Sequence, residues 1–210
     1  AGCFRIIDAT VEEIDFLNAP TESLDIKFPL GEEKYVVILP GNIVVIAGIS
    51  NAGKTAYLLN FIELNMHKFT IHYFNSEMGA TELKNRLSKF ERSLDSWKFQ
   101  AVERNSNFAD IIKPDHINVI DYLEIHDDFW KVGGMIKDIH DRLKKGIAVI
   151  AIQKDPHKEY GIGATRSIEK ARLYLTMDSN RIKIVKAKNW VHETINPKGL
   201  QLNFKLVQGC

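Results

Sequence analysis

Long apolar runs, paired cysteines and an excess of one sign of charge are all missing from this sequence of 210 residues. No apolar run approaches the ~20 residues that a membrane-spanning helix needs, and no signal peptide opens the chain, so we expect no membrane partner. The two cysteines, Cys3 and Cys210, are far apart, which fits neither a zinc site nor a disulfide framework. We favour reduced cytosolic thiols for both residues. A disulfide bond between Cys3 and Cys210 is the alternative, because chain termini often lie close together. The formal net charge of +1 neither requires nor excludes nucleic acid.

The composition supplies enough apolar material for one sizeable core. With 45% hydrophobic residues, a chain of this length favours a single domain with a small appendage. Because the first residue is Ala1, we expect an excised domain or a processed chain. We assign residues 1–34 to an N-terminal linker or short-helix segment, with a helix over residues 10–18 that Thr10 and Glu13 close as a capping box.

A glycine-containing stretch satisfies the phosphate-binding loop pattern G-x-x-x-x-G-K-[ST] at every required position. A buried strand is predicted before it, over residues 42–47, and a helix after it, over residues 56–66. Inward-pointing N–H groups, the helix N-terminus and the charge of Lys54 suit a triphosphate, and the hydroxyl of Thr55 would bind Mg²⁺. The residues assigned to nucleotide binding are Gly48, Ile49, Ser50, Asn51, Ala52, Gly53, Lys54, Thr55 and Ala56.

Strands and helices alternate along most of the remaining chain, which predicts an α/β fold with a mainly parallel sheet flanked by helices. The last third instead contains three strand-like segments joined by turns, which predicts an antiparallel β extension. The predicted strands are 35–39, 42–47, 70–75, 117–121, 147–152, 173–177, 181–186 and 200–206, and the helices after the loop helix are 81–90 and 129–144. Residues 91–114 give only a weak signal, typical of irregular or short elements.

Polar residues at strand ends are the candidates for chemistry, because parallel sheets place ligands at the carboxyl ends of their strands. Asp121 follows an apolar strand and could hold magnesium. Glu77 also lies at a strand end and could orient or deprotonate the attacking water; helix capping is its alternative role. Glu124 is a competing base, and Gln153 is placed to sense the γ-phosphate.

These segments resemble the successive motifs of the replicative DnaB-type helicases of bacteria and phages, which are RecA-like ATPases. The resemblance covers about residues 40–206, and its motifs are 42–66, 74–78, 119–123, 150–153, 167–175 and 185–190. It implies a RecA-like P-loop fold over residues 35–210, with ATP and Mg²⁺ as cofactors. It also implies that Glu77 rather than Glu124 is the catalytic base, and that Gln153 couples the nucleotide state to DNA.

The same resemblance implies partners. In the family a Lys and an Arg, spaced as Lys186 and Lys188 are here, reach into the ATP of the neighbouring subunit, so we expect a hexameric ring or filament with each ATP site completed in trans. Single-stranded DNA is the expected substrate, and the cytoplasm of a bacterial cell or phage-infected host the expected location. Lys188 stands where the family has Arg, and ammonium lacks the planar fork of guanidinium. Weak hydrolysis, or the use of Arg166 or Arg172 instead, stays open.

Two loops are the expected DNA contacts, over residues 124–134 and 154–166. The first is acidic, with Glu124, Asp127 and Asp128, and contributes little attraction. The second is flexible and basic, and we assign DNA binding to its Lys154, Lys158 and Arg166, with Tyr160 as a base-stacking candidate.

Three functions are consistent with the sequence. The first is an ATP-hydrolysing motor domain of a DnaB-like helicase, which predicts DNA-stimulated ATPase and strand separation. The second is a RecA- or KaiC-like recombination or regulatory ATPase, which in its recombinase form predicts filaments on DNA without unwinding. The third is an ATP-binding assembly switch with little turnover.

Overall fold

The computed structural model describes residues 11, 13–19, 22–123 and 129–207. Several residues with predicted roles lie outside this range, and these are Cys3, Thr10, Glu124, Asp127, Asp128 and Cys210.

One eight-stranded sheet organises the described chain, with the strand order β3-β2-β4-β5-β1-β6-β7-β8. The first six strands in this order are parallel to their neighbours, whereas β7 and β8 pair in antiparallel fashion. The strands are β1 (Ile43–Gly48), β2 (Ile71–Asn75), β3 (Gln100–Glu103), β4 (Ile117–Asp121), β5 (Ile147–Gln153), β6 (Ala171–Asp178), β7 (Arg181–Ala187) and β8 (Gln201–Asn203). This arrangement confirms the predicted parallel sheet with an antiparallel extension at its C-terminal end.

Helices cover both faces of the sheet. The α-helices of the described residues are α1 (Lys54–Asn65), α2 (Ala80–Leu87) and α3 (Val132–His140). Along β1 the side chains alternate between two apolar cores: Val44 and Ile46 pack on the α1 side, and Ile43 and Val45 pack on the α3 side. Because β1 is buried on both faces, its sequence is a continuous apolar run rather than an alternating one. None of the described helices is long and apolar enough to cross a membrane.

Three segments differ from the sequence-based expectation, and a fourth, residues 91–114, contains the short elements that were expected there. Residues 35–39 form no strand of the sheet and contribute only the isolated bridges of Ile38 with Leu24 and of Val36 with Trp190. The segment 91–114 contains the short edge strand β3, whose side chains are all exposed and therefore give no apolar signal. The last predicted strand is confined to β8, and the described residues of the N-terminal segment, 11 and 13–19, contain no helix.

Candidate nucleotide-binding site

The predicted phosphate loop lies between β1 and α1, at the carboxyl end of the central strand. Asn51 and Gly53 adopt positive φ values of 59° and 98°, which bend the loop back over the end of β1. Gly48 allows a close approach, because a Cβ atom on it would lie 2.8 Å from Cγ of Lys54. The two motif glycines are thus required by the path of the loop and by the folded-back lysine.

Lys54 is held over the centre of this loop. Its Nζ donates hydrogen bonds to the carbonyl oxygens of Gly48 (3.2 Å) and Ile49 (3.0 Å) and to Oε1 of Gln153 (3.1 Å). Burial lowers the pKa of the ammonium group, while the negative charges of Asp121 and Glu77 oppose that shift. The ammonium therefore bridges the end of β1 and the end of β5, where a phosphate oxygen would find a desolvated positive charge.

Asp121 occupies the position expected of a magnesium carboxylate. It is 3% exposed, Thr55 Oγ1 donates to its Oδ1 at 3.3 Å, and the Tyr73 hydroxyl donates to its Oδ2 at 2.6 Å. Burial raises the pKa of this carboxyl, which the two hydroxyl hydrogen bonds and the charge of Lys54 oppose. One carboxylate and one hydroxyl fit Mg²⁺, which binds through few protein ligands together with water and substrate phosphates. In the described part of the chain, no group of three or more His, Cys, Asp or Glu side chains could hold a metal ion by itself.

Glu77 is positioned by the turn that follows β2. The side-chain Oδ1 of Asn75 accepts hydrogen bonds from the backbone N–H groups of Glu77 (3.2 Å) and Met78 (3.0 Å). Ser76 ties this turn to the end of β4, because its N–H donates to the Asp121 carbonyl and its Oγ accepts from the Tyr122 N–H. The backbone segments that carry Glu77 and Asp121 are therefore held together at the ends of β2 and β4.

These groups converge on one cavity of about 310 Å³. It brings together the phosphate loop and the three strand-end residues predicted from the sequence, Glu77, Asp121 and Gln153. Its lining residues are Ser50, Asn51, Gly53, Lys54, Thr55, Ala56, Glu77, Arg86, Asp121, Tyr122, Gln153 and Leu206.

Sequence reasoning missed three lining residues: Arg86, Tyr122 and Leu206. Arg86 lies on α2, nine positions after Glu77, and pairs with Glu82 at 2.9 Å. Burial and the charge of Asp121 raise the pKa of the Tyr73 hydroxyl, and the charge of Arg86 opposes that shift. The ring centroid of Tyr122 lies 6.0 Å from Nζ of Lys54. Only the position of Tyr122 beside Asp121 gave any signal in the sequence, because the other two reach the cavity through the orientation of α2 and the path of the chain after β8.

Lys186 and Lys188 lie away from this cavity, on β7 and just beyond it. Lys186 Nζ donates to the carbonyl oxygens of Ile168 (2.6 Å) and Glu169 (3.1 Å), and burial and the charges of Lys188 and Arg172 lower its pKa. Lys188 and Arg172 are exposed and joined by a backbone hydrogen bond of 2.9 Å. The structure thus gathers three cations on one surface but does not bring them to the phosphate loop of the same chain.

The predicted DNA-binding residues of the second loop have different environments. Lys154 is buried, with its side chain 1% exposed, and forms an ion pair with Asp178 at 2.6 Å. Its ammonium group also donates to the Lys158 carbonyl oxygen at 2.8 Å, so a contact with a DNA phosphate would require these interactions to break, and the assignment of Lys154 to DNA binding stays a prediction. Lys158 and Arg166 are exposed, and Lys158 pairs with Asp155 at 2.9 Å on the surface.

One aromatic side chain from each of the two loops lines a separate cavity of about 630 Å³. Trp130 of the first loop is 61% exposed, and the ring of Tyr160 in the second loop forms an edge-to-face contact with the ring of Tyr174. Lys158 and Arg166 line the same cavity. The structure therefore joins exposed cations and an aromatic surface that the sequence keeps 36 positions apart at its extremes, from Trp130 to Arg166.

The sheet order, the phosphate loop and the strand-end carboxylates define the class of this protein as a P-loop protein of RecA-like fold. Among solved structures it is similar to the KaiC-like protein PH0186 from the hyperthermophilic archaeon Pyrococcus horikoshii OT3, with a TM-score of 0.64 and 17% identity over 89% of this chain and 100% of that chain. No protein-family model and no curated protein matches the sequence. The structural likeness confirms the predicted RecA-like fold.

Replacing Asp121 with Asn tests the magnesium assignment. We expect the variant to bind Mg²⁺-free ATP at least as tightly as the unmodified protein, because a negative charge beside the phosphates is gone. The gain in affinity on adding Mg²⁺ should disappear, and turnover should fall about 100-fold or more. Calorimetric titration with Mg²⁺ and with chelator measures both effects. Undiminished Mg²⁺-dependent turnover in Asp121→Asn would assign the metal to another residue.

Proposed function

We propose that this chain is the ATP-hydrolysing motor domain of a DnaB-like helicase that acts on single-stranded DNA. The observation that carries the hydrolytic part is the convergence of Lys54, Thr55, Asp121, Glu77 and Gln153 on one cavity. A phosphate cradle, a metal carboxylate, a candidate base and a γ-phosphate sensor are the parts that P-loop hydrolysis requires. The RecA-like fold and the resemblance of the motifs support this proposal.

Each residue has a distinct task in this proposal. The loop N–H groups and Lys54 bind the β- and γ-phosphates, and Thr55 and Asp121 hold Mg²⁺, which neutralises charge on the phosphate oxygens when bound. Glu77 accepts a proton from the attacking water or orients it. Gln153 accepts a hydrogen bond from the Lys54 ammonium at 3.1 Å, so a bound phosphate would compete for that contact and move the start of the second loop.

The site needs a further positive charge for the transition state. In our proposal Lys186 and Lys188 supply it to a neighbouring copy in a ring or filament, because they lie outside the cavity of their own chain. Arg172 lies beside them and is an alternative donor. Arg86 lines the cavity of its own chain and could act in cis.

Changing Lys188 to Arg tests the departure from the family pattern. If Lys188 acts in trans, the planar fork of guanidinium should raise ATP turnover per site by about tenfold or more, because finger arginines are worth ~10³ or more in rate. Lys145→Arg is the control, because Lys145 precedes β5 at the amino ends of the parallel strands and the phosphate loop lies at their carboxyl ends. An unchanged rate in Lys188→Arg would direct attention to Arg86 and Arg172.

DNA binding is proposed for the cavity that Trp130, Tyr160, Lys158 and Arg166 line. Aromatic rings stack on bases and exposed cations contact the phosphate backbone, which is the usual basis of single-strand binding.

Trp130→Ala should weaken single-stranded DNA binding about tenfold at a fixed salt concentration, since each stacked base is worth ~1–3 kcal/mol. Fluorescence anisotropy with a labelled oligonucleotide measures this, and Trp190→Ala provides a control. Equal affinity of Trp130→Ala and the unmodified protein would remove this surface from the DNA path.

A RecA- or KaiC-like regulatory or recombination ATPase is the second candidate. The observation that favours it is the likeness to the KaiC-like protein PH0186. Strand separation on a forked DNA supports the helicase, whereas ATP-dependent filaments on DNA without unwinding support a recombinase. Nucleotide-dependent oligomers with negligible hydrolysis would indicate an assembly switch.

A further inference from the structure

The chain that follows β8 crosses to the phosphate loop. The backbone N–H of Phe204 donates to the carbonyl of Asn180 at 3.0 Å, which fastens this tail, residues 204–207, to the turn between β6 and β7. Leu206 then lies against the loop and lines the nucleotide cavity. Its side chain is aliphatic and half-buried, and nothing in the proposed hydrolysis uses it.

The contact between Leu206 and the loop is close. A Cβ atom added to Gly53 would lie 2.9 Å from Cδ1 and 3.2 Å from Cδ2 of Leu206. Gly53 also has a φ of 98°, which residues with a side chain rarely adopt. Gly53 therefore allows both the positive φ that the loop requires and the close approach of Leu206.

The order of the strands shows at which end of the cavity Leu206 lies. Glu77 follows β2, whereas Asp121 and Gln153 are the last residues of β4 and β5. All three strands lie on one side of β1 in the sheet. These residues define the end of the cavity where the γ-phosphate would react. Leu206 follows β8, on the opposite side of β1, beyond β6 and β7. A triphosphate that lies across the end of β1 with its γ-phosphate at Glu77 would thus direct its nucleoside toward Leu206.

We propose that Leu206, which the tail carries to the phosphate loop, forms the nucleoside wall of the site by packing against the base or ribose of the bound nucleotide. This inference rests on the proposed nucleotide binding and specifies the substrate class. An aliphatic side chain offers no hydrogen-bond donor or acceptor, so it holds a base by apolar contact without reading its edge. The expected substrates are nucleoside triphosphates of any base, rather than ATP alone.

Replacing Leu206 with Ser in the full chain tests the wall. We expect the dissociation constant of MgATP to rise about tenfold, because an apolar contact with the nucleoside is lost. Inorganic tripolyphosphate has no nucleoside, so its affinity should stay the same. Val207→Ser, at a neighbouring position that is 65% exposed, should change neither ligand's affinity. Equal weakening of both ligands, or of neither, in Leu206→Ser would overturn the inference.

A second variant separates this contact from any effect on folding. Leu206→Tyr should strengthen MgATP binding about fivefold, because an aromatic ring stacks on a base more strongly than an aliphatic one packs. In the unmodified protein, MgATP, MgGTP, MgCTP and MgUTP should bind within about fivefold of one another. Discrimination of 100-fold or more among them would contradict an apolar wall. Failure of both tripolyphosphate and MgATP to bind the unmodified protein would overturn the phosphate-loop proposal itself.

Discussion

Lys54→Ala is expected to lower ATP turnover by about 10³-fold or more and to weaken MgATP binding about 100-fold. Its ammonium is held between the loop carbonyls and Gln153, at the point where the β- and γ-phosphates would lie. Removing a preorganised charge that stabilises developing negative charge in a desolvated site costs ~10²–10³ in rate, and the lost affinity adds to that. A nucleotide-binding titration and a phosphate-release assay measure the two losses separately.

A matched lysine variant controls for a general loss of charge. Lys145 is exposed and precedes β5, so it lies at the amino ends of the parallel strands, whereas the phosphate loop lies at their carboxyl ends. Lys145→Ala should leave binding and turnover unchanged, and both variants should unfold cooperatively on heating. Undiminished ATPase activity in Lys54→Ala would show that the loop is not the catalytic phosphate site.

Glu77→Gln is expected to separate binding from hydrolysis. The amide keeps the size of the side chain and its place on the Asn75 turn but accepts no proton from water. We expect the affinity for MgATP to stay within about threefold of the unmodified protein while the rate of hydrolysis falls by about 10²–10⁴. Single-turnover measurements with pre-bound ATP report the chemical step directly.

Two other glutamates make this experiment discriminating. Glu91 is exposed beyond the end of α2, so Glu91→Gln should hydrolyse ATP at the normal rate. Glu124 lies outside the described residues, and the sequence leaves it as the competing base. If Glu124→Gln loses hydrolysis and Glu77→Gln retains it, the base has been assigned to the wrong strand end.

The core of the site was predictable because its signals are local. The phosphate loop is a continuous motif, and Glu77, Asp121 and Gln153 each follow a buried apolar strand. In a parallel sheet such strand ends meet at one edge, so three separate segments could be placed together without any knowledge of pairing partners. The structure brings all three to the cavity that the loop also lines.

The remaining features depend on contacts between distant segments. Lys154 appears basic and accessible in sequence, but its ammonium meets Asp178, which a different strand carries to the same edge. Trp130 and Tyr160 belong to different loops, and their shared cavity follows from how β4 and β5 lie side by side. Leu206 reaches Gly53 only because β8 ends beside the β6–β7 turn. Composition and periodicity do not encode such pairings, so sequence reasoning missed them.

Short edge elements were also beyond the sequence signal. A four-residue strand with exposed side chains, such as β3, has neither the apolar run nor the alternation that marks a strand. The reverse error occurred at residues 35–39, where an apolar pattern is satisfied by burial of Val36 and Ile38 in the core without entry into the sheet.

The proposed completion of each ATP site by a neighbouring chain is tested most directly by the ATPase rate per protein chain, measured across protein concentration with and without single-stranded DNA. Because Lys186 and Lys188 lie outside the cavity of their own chain, we expect the rate per chain to rise with concentration as neighbours complete the sites. We also expect single-stranded DNA to increase that rate. A rate per chain that is the same at every concentration and is not changed by DNA would contradict both the completion in trans and the DNA-dependent motor.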